Sequence, residues 1–176
     1  MRTLDLSGND FRQLPPLVLE LTQLEGLDVS GNDLVDLPLG LTKLTKLTSL
    51  DISTNRVKKL PSVLPSLTSL RELNVGTDRY LRCLPFTELP ESLSRLTALT
   101  KLGLRAHEIA KWPSELRALT KLAQLDLIAA RPSNVPGWLA ELPALAEVDL
   151  TDAEDTDGSL IAFRRALEAR GVRVKT

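Results

Sequence analysis

The side chains able to do chemistry are few and unevenly placed. His107 and Cys83 are the single histidine and the single cysteine of the 176-residue chain. Their use as base and nucleophile would rest on co-occurrence alone, with no motif joining them. One histidine rules out a histidine metal cluster, and one cysteine rules out a thiolate zinc site. No glycine-rich stretch has the spacing of a phosphate cradle, and the recurring "SGN" reads as a turn. What recurs is carboxylate. Asp5, Asp28 and Asp51 stand 23 residues apart, as do Asp126 and Asp149. Stacked aspartates could hold a divalent cation weakly. The expectation is nonetheless that any such site is empty, with no catalytic residue, no cofactor and no metal.

Aspartates at fixed intervals imply a repeated element that positions them. "LDLSGNDFRQLP" (4–15), "LDVSGNDLVDLP" (27–38) and "LDISTNRVKKLP" (50–61) are successive copies at a 23-residue interval. Aligned on apolar positions, units open at Met1, Leu24, Leu47, Leu70, Leu99, Leu122 and Leu145, so one interval of 29 interrupts those of 23. The third unit carries Leu47, Leu50, Ile52, Asn55, Val57, Leu60, Pro61, Leu64 and Leu67. Leu50 and Ile52 alternate with polar neighbours, the period of a strand with one buried face. From Pro61 onward the apolar spacing becomes three, as on one face of a short helical or 3₁₀ return. Proline suits the first position of such a return. One unit buries too few aliphatic side chains to offset the ordering of its backbone. Units must therefore share their apolar faces in a stack.

This order of residues resembles the leucine-rich repeat family, in the intracellular 23-residue form with L-P-x-x-L-x-x-L on the return. Similar repeats occur in Ras-suppressor-like and bacterial proteins. The resemblance implies an α/β fold, a right-handed solenoid with a parallel concave sheet and short helical or 3₁₀ convex returns. It covers residues 1–150, about six units plus a final strand, with a six-residue insertion near 79–88. It also implies that Asn9, Asn32 and Asn55 hydrogen-bond the backbone as a ladder. Asp78, His107 and Ala130 occupy that slot later, so the ladder is expected to weaken there.

Strand alternation turns one column of side chains outward: Asp5, Asp28, Asp51, Asn74, Gly103, Asp126 and Asp149. Carboxylates on strands about 4.8 Å apart repel by roughly 0.9 kcal/mol even in water. Two readings stay open, an acidic strip awaiting a basic partner or a habit of this slot in the family. In the fifth unit Gly103 replaces the aspartate, flanked by Lys101, Arg105 and His107. With Glu72, Asn74, Arg79 and Tyr80 these form a mixed-charge patch of the kind where binding anchors gather. Candidate partner contacts are therefore Asp28, Asp51, Glu72, Asn74, Arg79, Tyr80, Lys101, Arg105, His107 and Asp126. Trp112 stands where other units have leucine before proline and reads as core. Trp138 falls at an outward position, either exposed or covered by the neighbouring return.

The chain starts inside its first unit, which leaves a strand edge open to association or to further sequence upstream. Residues 151–176 read as a helical cap, with Leu160, Phe163 and Leu167 on one face, Gly171 as its stop and a short strand after it. Hydrophobic residues make up 43% of the chain, aromatics only 3%, and the formal net charge is −1. An aliphatic core follows, and a polyanion binder does not. No nucleic-acid or membrane partner is expected, and a single cysteine suits the reducing cytoplasm, with a lean toward a bacterial source. The expected function is a non-catalytic scaffold gripping a protein on its concave face, as a monomer or associating through its N-terminal edge. The alternative is a recognition module of a larger ligase-, kinase- or GTPase-linked protein or bacterial effector.

Overall fold

The computed structural model describes residues 1–78 and 85–176. Among the described residues, eight strands of three residues form one parallel sheet in chain order. They are β1 (Thr3–Asp5), β2 (Gly26–Asp28), β3 (Ser49–Asp51), β4 (Glu72–Asn74), β5 (Lys101–Gly103), β6 (Gln124–Asp126), β7 (Glu147–Asp149) and β8 (Arg173–Lys175). Register follows the repeat, so Leu4, Leu27, Leu50 and Leu73 lie abreast with Asp5, Asp28 and Asp51 beside them. β4 pairs with β5 through Leu73 and Leu102 in the same register, although the longer interval lies between them. The extra residues fall between Asp78 and Phe86, and the regular pattern resumes at Phe86.

After six of these strands the chain turns sharply, with left-handed backbone at the apex. Gly8 and Gly31 supply it at φ 64° and 63°, whereas Thr54, Ala106, Ala129 and Asp152 adopt it at φ 54–59°. Among the described residues the return contains a short 3₁₀ helix in six coils, such as Pro16–Glu20 and Glu91–Arg95. Pro15, Pro38, Pro90, Pro113 and Pro136 stand one residue earlier than the first helical position expected of them. Each holds a near-extended conformation there, and its carbonyl accepts the first bond of the return, as from Val18 to Pro15 at 3.0 Å.

The leucines of successive coils form one continuous buried core. At its C-terminal end lies α1 (Ser159–Ala169), whose Leu160, Phe163 and Leu167 are buried in that core. Asp155 caps this helix, accepting from the amides of Gly158 at 2.8 Å and Ile161 at 2.9 Å. Trp112 is only partly buried and donates its indole N–H to the Ser133 carbonyl at 3.1 Å. Trp138 is half-covered, with the Arg117 guanidinium 5.5 Å from its ring centre.

The asparagine ladder runs further than its sequence slot suggested. Asn32 Nδ2 donates to the carbonyls of Leu6 at 2.9 Å and Val29 at 3.0 Å, while its Oδ1 accepts from the Phe11 amide at 3.0 Å. Asn55 repeats this with Val29, Ile52 and Leu34. His107 takes the same role two coils on. Its Nε2 donates to the Val75 carbonyl at 2.8 Å and its Nδ1 accepts from the Phe86 amide at 3.0 Å. The ring stacks on Phe86 with centroids 4.2 Å apart. His107 is 1% exposed, so it cannot be a partner contact as expected from sequence, because its ring is a rung of the ladder. Ala130, which has no polar side chain, does end the pattern in its own coil.

Burial of that ring lowers its pKa from 6.5 to about 4, against the opposing bond to the Val75 carbonyl. The fold therefore holds the neutral imidazole. This contribution is complete above pH 6.5 and is lost as pH falls toward 4, where only the unfolded chain takes up the proton readily. The gap corresponds to about 3 kcal/mol. Urea unfolding at pH 7 and pH 4 should show a fall in stability larger by about that amount in the native chain than in His107→Asn. Equal falls in the two proteins would remove His107 as the cause.

Candidate functional site

The concave column owes its aspartates to the end of each strand. Asp5, Asp28, Asp51, Asp126 and Asp149 each accept, through one carboxylate oxygen, the amide two residues on, at 2.8–3.0 Å. A short acceptor at that slot closes the turn that releases the chain from the sheet. The hydroxyls of Ser53 and Thr151 add second bonds to Asp51 and Asp149 at 2.6 and 2.7 Å. Hydrogen bonds from Ser7 hold the Asp5 carboxyl below the ordinary range. Burial pushes the Asp126 carboxyl up, and the Asp149 charge adds to it, against the Ile128 amide and the charges of Arg105 and Lys101. Half of the acidic strip is thus turn chemistry, with one oxygen of each carboxylate left for other contacts.

At the fourth and fifth strands the column breaks. Asn74 keeps the turn bond, its Oδ1 accepting from Gly76 at 3.1 Å, and its Nδ2 donates sideways to Asp51 Oδ2 at 2.8 Å. The amide then lies over residue 103, where a Cβ would meet Asn74 Oδ1 at 2.5 Å. Glycine fits that space as the sheet now stands. Beside it lies a hollow of about 170 Å³ lined by Asp51, Glu72, Asn74, Lys101, Gly103 and Asp126. Glu72 and Lys101 also border a larger recess of about 490 Å³, whose far rim carries Gln124, Glu147 and Arg173. Ala123, Ala146 and Gly171, which precede their strands, also line that recess.

Opposite charges close the C-terminal end of the sheet. Lys175 reaches Glu147 at 2.7 Å and Asp149 at 3.9 Å, and Arg173 reaches Glu147 at 3.3 Å. These contacts lower the Glu147 carboxyl and raise the Lys175 ammonium from their ordinary ranges. Among the described residues, no group of three or more His, Cys, Asp or Glu side chains is placed to hold a metal ion.

Comparison with known proteins agrees with this architecture. The family model for leucine-rich repeats in two copies matches residues 22–64, and the single leucine-rich repeat model matches residues 1–21. A leucine-rich repeat protein of Leptospira interrogans superposes over the whole chain with a TM-score of 0.83 at 25% identity. Residues 1–64 are leucine-rich repeats, and the whole chain has the leucine-rich repeat fold. An internalin of Listeria monocytogenes is also similar, with a TM-score of 0.76 at 24% identity over 99% of the chain. This leucine-rich repeat chain spans 43% of the Leptospira structure and 47% of the internalin. No curated protein matches its sequence.

Of the contacts expected from sequence, this repeat protein gathers Asp51, Glu72, Asn74, Lys101 and Asp126 around the one hollow. Asp28 lies one strand further along the same column. Arg105 is exposed and crowds Gly76, where an added Cβ would stand 2.9 Å from its own. Arg79 and Tyr80 lie outside the described residues. Glu147 and Arg173 are not among the contacts expected from sequence, although Glu147 stands in register with Glu72, Lys101 and Gln124. Arg173 joins it only because β8 returns to the sheet after α1.

Proposed function

We propose that the chain is a non-catalytic binding scaffold that grips a protein partner on its concave face, centred on the hollow at Gly103. Leucine-rich repeat domains generally mediate protein–protein interaction. The observation that carries the assignment of this surface is the break in the column. There an otherwise uniform strip becomes a depression with charges of both signs at its rim. A partner side chain can enter it while the rigid sheet loses little freedom on binding. No helix among the described residues is long and apolar enough to cross a membrane. We place the protein in the cytoplasm on the strength of its single cysteine.

The test is capture of partners from lysate by the native chain and by a Glu72→Lys, Lys101→Glu, Arg105→Glu variant. Reversing two rim charges and that of the exposed Arg105 should weaken capture at least about tenfold, and the native contact should loosen as salt is raised. Capture of every partner at undiminished strength by the variant would refute this choice of surface. Gly103→Leu should act in the same direction without any change of charge, by filling the hollow and by driving Asn74 out of the space that a Cβ at 103 would take.

A further inference from the structure

A second surface, away from the concave face, has features the scaffold reading does not use. It lies on the edge of the solenoid between the strand ends and the convex returns of the first three coils. Arg12, Val35 and Lys58 occupy one slot there, three residues after Asn9, Asn32 and Asn55. On either side of Val35 runs a groove. One holds about 420 Å³ above Leu14, Pro16 and Leu19, and the other about 490 Å³ beside Lys58, Lys59 and Pro61. Val35 is 63% exposed, Leu17 81% and Leu39 73%, three of the five large apolar side chains left in water among the described residues. Concentration of exposed apolar surface on two adjacent coils marks a contact site more strongly than scattered residues do.

The charges around these grooves set the kind of occupant. Arg56 is held by Asp33 at 2.7 Å. Arg12, Lys58 and Lys59 make no ion pair among the described residues, and Asp36 is the one carboxylate lining the grooves. One of its oxygens already accepts from the Leu37 amide at 2.8 Å. Three unpaired cations thus surround an apolar centre and face one partly engaged carboxylate. Arg12 and Lys58 are two coils apart, roughly 10 Å at ordinary strand spacing. In an extended chain, side chains at i, i+2 and i+4 share a face and span roughly 13 Å. Flexible lysine and arginine stems cover the difference.

From this geometry we infer a second docking surface on the first three coils, which takes an extended acidic peptide segment of the pattern acid–x–apolar–x–acid. The apolar side chain sits against Val35 and Leu19, and the flanking carboxylates meet Arg12 on one side and Lys58 with Lys59 on the other. This surface is separate from the hollow at Gly103, and its occupant is a linear segment instead of a folded face.

The test selects a displayed random 12-residue peptide library on the whole chain, then measures a fluorescein-labelled winner by anisotropy. Enriched peptides should carry two acids flanking an apolar residue at alternate positions. Val35→Asp and the pair Lys58→Glu with Lys59→Glu should each weaken the winner at least about tenfold, and added salt should weaken it further. The variant reversing Glu72, Lys101 and Arg105 should bind the winner within about twofold of the native chain. Circular dichroism checks that Val35→Asp, a change at an exposed position, is folded. The inference fails if no acidic pattern is enriched, if the edge variants bind as well as the native chain, or if the concave variant loses the winner. It fails equally if phosphatidylserine vesicles hold the native chain but not the edge variants. Loss of a native dimer in Val35→Asp, seen by sedimentation velocity, would assign the surface to a second copy instead.

Discussion

Replacing His107 with alanine should destabilise the chain by about 4 kcal/mol, whereas replacing it with asparagine should recover at least half of that loss. The ring engages three groups on two other segments: the Val75 carbonyl, the Phe86 amide and the face of the Phe86 ring. Alanine leaves both backbone groups buried without partners, at roughly 1–3 kcal/mol each, and opens a void beside Phe86. Asparagine restores one donor and one acceptor, as Asn32 and Asn55 do in their coils. For a chain of this size the alanine change should lower the melting temperature by about 10 °C. Thermal and urea unfolding of the three proteins side by side gives the measurement. An alanine variant no less stable than the asparagine variant would mean that the two hydrogen bonds contribute nothing.

This residue also shows where sequence reading stopped. Its position in the asparagine slot was legible from spacing alone. Its role was not, because hydropathy and period say nothing about the reach of an imidazole, whose two nitrogens can serve an amide and a carbonyl as a carboxamide does. The repeat, the buried leucine columns and the helix at the end were legible from apolar period, and the parallel sheet was legible as what the resemblance to leucine-rich repeats implies. The break at Gly103 was visible as a substitution, but its physical reason lies in the tilt of Asn74 toward Asp51, which no local pattern encodes. The aspartate column was legible as a column only. That each carboxylate closes a turn became plain once the amide two residues on was placed against it. Arg173 escaped notice for a topological reason: its column is completed after an intervening helix, outside the 23-residue period.

Phe163→Ala should cost about 4 kcal/mol, and its loss should be local. Phe163 is the largest of the side chains buried to below 2% exposure, and it stands between Leu160 and Leu167 on the inner face of α1. Truncating a buried phenylalanine typically costs 3–5 kcal/mol, from lost transfer energy and the cavity left behind. In a stack where each coil touches only its neighbours, that cost falls first on the terminal elements. α1 is otherwise fastened by Arg170, which bonds the carbonyls of Ala140 and Leu142, and by β8 paired to β7. Without the ring, these contacts must hold an interface with a void in it. Opening of α1 and β8 would then cost less than opening of the central coils. Hydrogen exchange should show it: the amides of Leu150 and Arg173, bonded to Lys175 and Ala146, should lose protection. Those of Val29 and Ile52, in the second and third coils, should keep theirs. Equal loss at all four amides would show instead that the solenoid opens as one cooperative unit, with its end no weaker than its middle.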